Sequence, residues 1–258
     1  MSPDIEQQST LMSWVKILSF PQAQNDRAPR HFQMANPAIL LDDYYREASF
    51  LPSKRAGHAH YFIKRLTDIV LSGTALLVLL PFLLAVAALI RLDSRGPVLF
   101  TQQRWGKGCR KIRVYKFRSM RTDLCDVTGV NQTVAGDPRI TKIGAIIRRT
   151  NIDELPQLIN VLKGDMSLVG PRCHAIGMLA AGMPYEELVP EYHRRHVVRP
   201  GMTGLAQMRG LRGPTDRPGK ARARIACDLY YVENFNYWLD LRIIVGTVIS
   251  ELKGGKGF

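Results

Sequence analysis

The sequence has few cysteines and few acidic residues for its length. Its four cysteines, at positions 109, 125, 173 and 227, include no CxxC pair. This excludes a dense disulfide scaffold or a zinc ribbon and is typical of reduced thiols facing a cytosol. Only 22 acidic residues oppose 36 lysines and arginines among 258 residues, which gives a formal net charge of +14. Such an excess indicates an anionic partner: nucleic acid, an acidic membrane surface or a phosphorylated substrate.

The chain is neither strongly hydrophobic nor strongly polar overall. A mean hydropathy of −0.09 excludes a polytopic channel, and 46% hydrophobic residues exclude a wholly disordered chain. Residues 1–57 are polar, lack a basic N-terminal region and contain Pro21, Pro29, Pro37 and Pro52. They predict a partly disordered leader and not a cleavable signal peptide.

One long segment contains no charged residue, from Ile69 to Ile90. As a straight helix it would measure about 33 Å, enough to cross a hydrocarbon core of about 30 Å. Pro81 lies inside it and would kink the helix by removing a backbone hydrogen bond. Basic residues, which mark the cytoplasmic side of a membrane segment, flank both ends: Lys54, Arg55, Lys64, Arg65, Arg91, Arg95, Arg104 and Lys107. The sequence therefore favours a re-entrant membrane helix over residues 58–95, broken at Pro81, above a straight span.

The rest of the chain, residues 96–258, predicts a mostly helical domain with a small β-hairpin, of the α+β class. Strand patterns at 97–103 and 111–120 flank a Gly-rich turn at 105–109. Helices are expected over 140–162 with an interruption near Asn151, over most of 173–198, and over 222–231 and 239–252. Phe235, Tyr237 and Trp238 indicate either an interfacial aromatic belt or core packing.

An acidic pair, Asp153 and Glu154, is the strongest candidate for chemistry. Pro156 is typical of the first turn of a helix, so a helix is expected to begin close to Asp153. The helix dipole there favours carboxylates, although Asp is also an ordinary N-cap residue. Arginines surround the pair in sequence and match phosphate oxygens: Arg148, Arg149, Arg172 and Arg199. Together they indicate a carboxylate pair that acts on a phosphorylated substrate.

Two histidines, His193 and His196, have a spacing that two metal ligands share on a helix. Since no further Cys/His cluster stands near them in the sequence, we interpret them as surface or loop histidines.

Five motifs together resemble one known family, the bacterial sugar transferases called monotopic phosphoglycosyl transferases. The likeness runs in order from about Tyr61 to Leu252. The motifs are Lys116-Phe-Arg-Ser-Met120, Ile152-Asp-Glu-Leu-Pro-Gln-Leu158, Asn160-Val-Leu-Lys-Gly-Asp-Met-Ser167, Gly170-Pro-Arg172 and Arg199-Pro-Gly-Met-Thr-Gly-Leu-Ala-Gln207.

The resemblance implies an enzyme that transfers hexose-1-phosphate, here expected to carry glucose or galactose, from a UDP-sugar to polyprenyl phosphate, with release of UMP. It implies that Asp153 is the nucleophile, forming a covalent phosphosugar intermediate, and that Glu154 helps to hold Mg²⁺. It also implies a re-entrant helix broken at a proline, which Pro81 matches. The residues expected to bind phosphate are Lys116, Arg118, Arg148 and Arg172, with Arg199, Gln207 and Asp228 as weaker candidates.

The expected location is the cytoplasmic face of a bacterial inner membrane, with membrane lipids as partners and no nucleic acid. Interfacial helices of the catalytic domain are expected to rest on that membrane, at the first membrane step of an exopolysaccharide or surface glycan. The alternative is a non-enzymatic, membrane-anchored binder of nucleic acid or anionic lipid, driven by the net charge.

Overall fold

The computed structural model of the chain describes residues 58–122 and 136–252, and the predicted leader lies outside the described residues. The described fold mixes helix and sheet and is mostly helical, which confirms the α+β prediction. Its helices are α1 His58–Asp93, α2 Lys142–Arg149, α3 Gln157–Lys163, α4 Tyr185–Leu188, α5 Leu205–Met208, α6 Pro218–Asn234 and α7 Tyr237–Leu252. Its strands are β1 Leu99–Trp105, β2 Lys111–Phe117, β3 Ser167–Val169, β4 Leu179–Ala180, β5 Met183–Pro184 and β6 Gly201–Thr203.

Helix α1 contains the whole uncharged segment and would measure about 54 Å if straight. Its leucines, alanines and valines favour an α-helix in an apolar environment, and much of its surface is exposed, with Leu77 74% and Val78 70% accessible. The helix is long and apolar enough to cross a membrane. The α-helix continues through Pro81, so the predicted break there is not confirmed.

The beginning of α1 is tied to the folded domain by polar contacts. Lys64 Nζ donates to Asp240 Oδ2 at 2.8 Å and to the carbonyl of Val169 at 2.9 Å. Arg65 donates to two carbonyls at the C-terminal end of α3, those of Val161 at 2.7 Å and Leu162 at 2.8 Å. These cations stabilise exposed C-terminal carbonyls and a buried acid at once.

The end of α1 is tied to the same domain. Arg118 donates to the carbonyls of Ile90 at 3.2 Å and Ser94 at 2.6 Å. Asp93 Oδ2 accepts from the backbone N–H of Ile143 at 3.1 Å, in the first turn of α2. Both ends of the apolar helix therefore contact one folded unit.

The predicted β-hairpin is confirmed. Strands β1 and β2 pair antiparallel from Leu99 opposite Phe117 to Trp105 opposite Lys111. A short 3₁₀ turn, Lys107–Cys109, joins them, with Gly108 at φ 65° and Cys109 at φ 49°. Strand β2 buries Val114 on one face and Phe117, three residues later, on the other, because successive side chains of a strand point to opposite faces. Val114 packs with Val161 and Met166, and Phe117 packs with Ile90 and Ile147.

The glycines of two motifs have a packing role. Strand β3 pairs parallel with β6, and the chain stays close to its partner as far as Gly170. A Cβ atom on Gly170 would lie 2.6 Å from the carbonyl oxygen of Arg199 and 2.9 Å from the nitrogen of Gly201. Since no side chain fits, the glycines of Gly170-Pro-Arg172 and Arg199-Pro-Gly201 let two backbones meet.

Helices α6 and α7 complete the core, and they resolve the two interpretations of the aromatic cluster. Phe235 is buried and packs with Tyr231 and Ile243, whereas Trp238 on α7 is 70% accessible. The exposed face of α7 continues with large aliphatic side chains: Leu241, Val245, Val248 and Ile249. Phe235 therefore belongs to the core, and Trp238 begins an apolar exposed stripe.

The expectation that most of residues 173–198 is helical was wrong. The structure has the two-residue strands β4 and β5, the single-turn helix α4 and a 3₁₀ segment, Tyr192–Val197. Three residues with positive φ, Gly177, Ala181 and Gly182, interrupt a helix here, and Pro184 precedes α4. These positions favour turns over a continuous helix.

Candidate active site

A tight reversal of the chain presents the acidic pair. Helix α2 ends at Arg149, and Asn151 adopts a left-handed conformation at φ 56°, which Asn tolerates better than most residues. This confirms the predicted interruption near Asn151. Asp153 and Glu154 lie in a 3₁₀ turn, Ile152–Glu154, and α3 begins three residues later at Gln157. The acidic pair therefore precedes α3, and Pro156 is the N-cap residue of that helix.

The acidic pair borders a cleft of about 1010 Å³. The lining of the cleft includes eight basic residues: Arg104, Lys116, Arg118, Arg139, Arg148, Arg172, Arg212 and Arg224. The lining also includes apolar residues, among them Leu71 of α1, Ile244 and Val248 of α7, Leu168 and Met202. A cleft lined by both basic and apolar side chains suits ligands that are anionic at one end and apolar at the other.

Glu154 is held by two cations. Lys116 Nζ donates to Glu154 Oε1 at 2.7 Å, and Arg172 donates to both carboxylate oxygens, through Nη1 to Oε2 at 3.1 Å and through Nη2 to Oε1. Burial favours the neutral acid, but the charges and hydrogen bonds of Arg172 and Lys116 outweigh it and hold the pKa of Glu154 well below its ordinary value. Glu154 is therefore ionised and holds two cations at the cleft.

Asp153 is in a different state from its neighbour. It is 6% accessible, and its nearest ion partner is Lys116, with Nζ 3.9 Å from Oδ2. Burial raises the pKa of Asp153, Lys116 opposes the rise, and the negative charge of Glu154 adds to it. Two adjacent carboxyls with pKa values displaced in opposite directions are typical of groups with different roles. Asp153 is the more basic of the two and the less strongly paired.

The structure brings most of the sequence-predicted site residues to the cleft. Lys116, Arg148, Arg172 and Gln207 line it together with Asp153 and Glu154. Within the described residues, the Nε of Arg148 has no hydrogen-bond partner, and Nη1 lies 3.4 Å from Ser119 Oγ. Gln207 donates to the carbonyl of Met202 at 3.2 Å.

Three other predicted residues have structural partners. Arg118 borders the cleft but is 3% accessible and holds the end of α1. Arg199 does not line the cleft and donates through Nε to the carbonyl of Gly164 at 2.8 Å. Asp228 forms a buried ion pair with Arg195 at 2.8 Å; burial raises the pKa of Asp228, against the charge of Arg195, to about 6.

Arg139, Arg212 and Arg224 line the cleft, although the sequence analysis did not select them. Arg224 donates to the carbonyls of Leu211 and Gly213, so it supports the loop that ends the cleft wall. The sequence signal for this loop was the repetition of arginine and glycine across 209–213. Arg224 itself stands in a helix, where nothing in the sequence distinguishes it from a surface arginine.

The sequence profile of the family described as bacterial sugar transferase matches residues 59–254. The chain belongs to the bacterial sugar transferase family. It is 76% identical over 196 residues to the exopolysaccharide production protein PSS of Rhizobium leguminosarum bv. phaseoli, which covers 76% of this chain and 98% of that protein.

Two further relatives carry more specific names. The undecaprenyl-phosphate glucose phosphotransferase of Komagataeibacter xylinus is 48% identical over 76% of this chain and 37% of its own length. The UDP-glucose:undecaprenyl-phosphate glucose-1-phosphate transferase of Caulobacter vibrioides is 47% identical over 73% of this chain and 69% of its own length. This sugar transferase therefore matches a little over a third of the first of these proteins and about two thirds of the second.

The family match and the apolar helix lead to the same location. The matched region of this sugar transferase contains almost all of α1, the acidic pair and all of α7. A long apolar helix in a sugar transferase indicates association with a membrane.

Proposed function

We propose that this sugar transferase moves hexose-1-phosphate, with glucose or galactose as the hexose, from a UDP-sugar to undecaprenyl phosphate and releases UMP. The observation that carries the proposal is the unequal acidic pair in a basic cleft: Glu154 is tied to Lys116 and Arg172, while Asp153 is buried with a raised pKa. The names of the relatives support the donor and the acceptor, and PSS supports a role in exopolysaccharide production.

In the proposed first step, an ionised oxygen of Asp153 attacks the sugar-bearing phosphorus of the donor. The bond from that phosphorus to the bridging oxygen breaks, UMP leaves with the electron pair, and an aspartyl phosphosugar forms. A phosphate oxygen of undecaprenyl phosphate then attacks the same phosphorus and releases the Asp153 carboxylate. The product is a diphosphate-linked lipid, and the enzyme returns to its initial state.

The cations of the cleft have separate tasks in this scheme. Lys116 and Arg172 border Asp153 through their contacts with Glu154, so they face a phosphate that reaches the nucleophile. Arg148 lines the same cleft, with its Nη1 3.4 Å from Ser119 Oγ. Cations placed where negative charge develops on the phosphoryl oxygens stabilise the transition state.

The basic and the apolar side chains that line the cleft suit the two substrates. The apolar side chains include Leu71 of α1 and Val248 of α7, and both helices have exposed apolar faces. In this scheme the polyprenyl chain lies along these apolar side chains and enters the membrane, while its phosphate reaches Asp153. The basic side chains face the nucleotide diphosphate.

We include Mg²⁺ in the proposal as the ion that offsets charge on the donor diphosphate. Mg²⁺ is commonly bound by one or two carboxylates together with substrate phosphates, and Asp153 and Glu154 fit this donor set. Glu154 would hold the ion, and because both of its oxygens already accept from cations, the ion competes with Lys116 and Arg172 there.

We propose that both ends of α1 lie on the cytoplasmic face, with the helix bent at Pro81 inside the membrane. Contacts at both ends with one folded unit support this: Lys64 and Arg65 at the beginning, Asp93 at the end. A straight span would separate one set of contacts from that unit by the bilayer. The basic residues on both flanks support the same topology.

A UMP-release assay with purified protein, undecaprenyl phosphate and Mg²⁺ tests the reaction. A panel of UDP-glucose, UDP-galactose and their N-acetyl forms identifies the sugar. We expect turnover with at least one donor and a loss of roughly 10³-fold or more in Asp153→Asn. Asp165→Asn, which changes a half-buried aspartate paired with Lys163, should stay close to wild type. A charge-driven binder without activity would release no UMP and would be indifferent to Asp153→Asn.

Cysteine labelling tests the topology independently of activity. Ala59 and Arg95 are exposed residues just inside and just beyond the two ends of α1. Cysteines introduced at both positions should react with a membrane-impermeant maleimide only in inside-out vesicles. Reaction of the two positions from opposite sides would establish a straight span.

A further inference from the structure

Three side chains from distant parts of the sequence meet at the tip of the β-hairpin. The hairpin turn, Lys107–Cys109, packs on the 3₁₀ segment Tyr192–Val197. Cys109 Sγ lies 3.6 Å from Nδ1 of His193 and 3.4 Å from Nδ1 of His196. The three potential ligand atoms all lie within 4.8 Å of one another. None of these residues lines the catalytic cleft.

The distances match those between ligands of one zinc ion. Zinc binds thiolate at about 2.3 Å and imidazole nitrogen at about 2.0–2.1 Å in tetrahedral geometry, which places bound sulfur and nitrogen about 3.5 Å apart. The two sulfur–nitrogen distances here, 3.6 and 3.4 Å, are close to that value. Little movement of the side chains would be needed to admit an ion.

The surroundings also favour a neutral, ligating imidazole. His196 is buried and His193 is half-buried, and burial disfavours the charged imidazolium. Metal ligation requires neutral imidazole and thiolate. Cys109 has φ 49°, which an L-residue rarely adopts.

We propose that Cys109, His193 and His196 form a zinc-binding site that is separate from the catalytic cleft. On binding, the thiol of Cys109 loses its proton to solvent, and the two neutral Nδ1 atoms donate their lone pairs to the ion. A tetrahedral ion with three protein ligands has one position left for a water molecule.

Such a site would fasten the hairpin to a segment that supports the catalytic residues. Arg195, between the two histidines, donates to the carbonyl of Arg172 and pairs with Asp228 of α6. Arg172 in turn holds Glu154. Zinc would therefore stabilise the packing of the hairpin on this segment, and it would take no part in the transfer reaction.

The first test uses the wild-type protein, purified without a histidine tag, and zinc alone. We expect close to one zinc per chain after incubation and desalting, and an upward shift of Tm of roughly 5–10 °C at a hundredfold excess over Kd. Zinc should also slow alkylation of Cys109, followed by peptide mass spectrometry, while the buried Cys227 serves as the internal reference. Sub-stoichiometric binding with unchanged Cys109 alkylation would overturn the proposal and would leave only thiol–imidazole hydrogen bonds.

The second test uses variants of the ligands. Cys109→Ser and His193→Gln should lose the bound zinc and its Tm shift, whereas Cys227→Ala should retain both. Cobalt offers a spectroscopic measure, because a thiolate ligand gives a charge-transfer band that Cys109→Ser should abolish. Full zinc binding and an unchanged cobalt spectrum in Cys109→Ser would contradict the site. Neither test depends on transferase activity, so a failure here is distinguishable from a failure of the proposed reaction.

Discussion

Two substitutions beside Asp153 should move its pKa in opposite directions. Burial raises this pKa, Lys116 lowers it and Glu154 raises it. Lys116→Met removes the main opposing charge, so the pKa of Asp153 should rise further. Glu154→Gln removes a neighbouring negative charge and releases Lys116 to Asp153, so the pKa should fall.

The distance between the charges sets the size of the first shift. Lys116 Nζ lies 3.9 Å from Asp153 Oδ2. Two unit charges about 4 Å apart interact by about 4 kcal/mol in a protein-like medium and by about 1 kcal/mol in water. Because the Lys116 side chain is 18% accessible, the interaction falls between these limits, and its loss in Lys116→Met should raise the pKa of Asp153.

The sign of the pH effect follows from the need for an ionised nucleophile. Protonated Asp153 does not attack phosphorus, so kcat/KM should fall as the pH decreases through the Asp153 pKa. In a plot of kcat/KM against pH, the fall on the acidic side should therefore begin at a higher pH in Lys116→Met and at a lower pH in Glu154→Gln than in wild type. The pH at which this acidic limb begins, and not the maximal rate, is the quantity compared.

The assay is initial UMP release at limiting UDP-sugar, because kcat/KM then reports the free enzyme and the donor. The donor titrates identically in every variant, so a limb that moves belongs to the protein. Lys163→Met, at an exposed lysine paired with Asp165, serves as the control and should leave the limb in place. Shifts of the same sign in both test variants, or no shift in either, would refute this account of the acidic pair.

Three further substitutions test the fold around the cleft. Lys64→Met leaves the buried Asp240 without its cation and should lower the free energy of unfolding by about 3 kcal/mol. We expect a clear fall in Tm in this variant and a much smaller one in Lys64→Arg. Gly170→Ala should lower the free energy of unfolding by about 1–3 kcal/mol, because the new Cβ overlaps the backbone of β6. An unaltered Tm would contradict this close approach. The control is Gly219→Ala, whose Cβ meets nothing within 4 Å. Arg199→Ala should retain kcat/KM close to wild type, because Arg199 lies away from the cleft; a large loss would return it to the phosphate-binding set.

Local chemistry explains what the sequence could predict. The hairpin follows from alternation on both sides of a glycine turn, and the interruption before Asp153 follows from Asn151, a residue that tolerates a left-handed conformation. The acidic pair can be recognised in the sequence because the helix start at Pro156, the surrounding arginines and the family motifs all indicate the same site. Such signals depend on neighbours in the chain.

The remaining features depend on contacts between distant segments. Arg118 and Arg148 look alike in sequence, but one holds the end of α1 and the other faces the cleft. Likewise, His193 and His196 were interpreted as ordinary surface or loop histidines, because Cys109 stands 84 residues before His193. Only the packing of the hairpin on the 3₁₀ segment brings the thiol to them. The bend at Pro81 stays a prediction, since α1 is continuous there.

The central claim is that Asp153 carries the sugar phosphate between donor and acceptor. Mass spectrometry of the protein after brief exposure to the UDP-sugar alone, with acid quenching, tests it directly. We expect a hexose-phosphate adduct on the peptide that contains Asp153, its absence in Asp153→Asn, and its loss when undecaprenyl phosphate is added. Release of UMP at full rate with no adduct on any carboxylate, or with the adduct on a different residue, would contradict the claim.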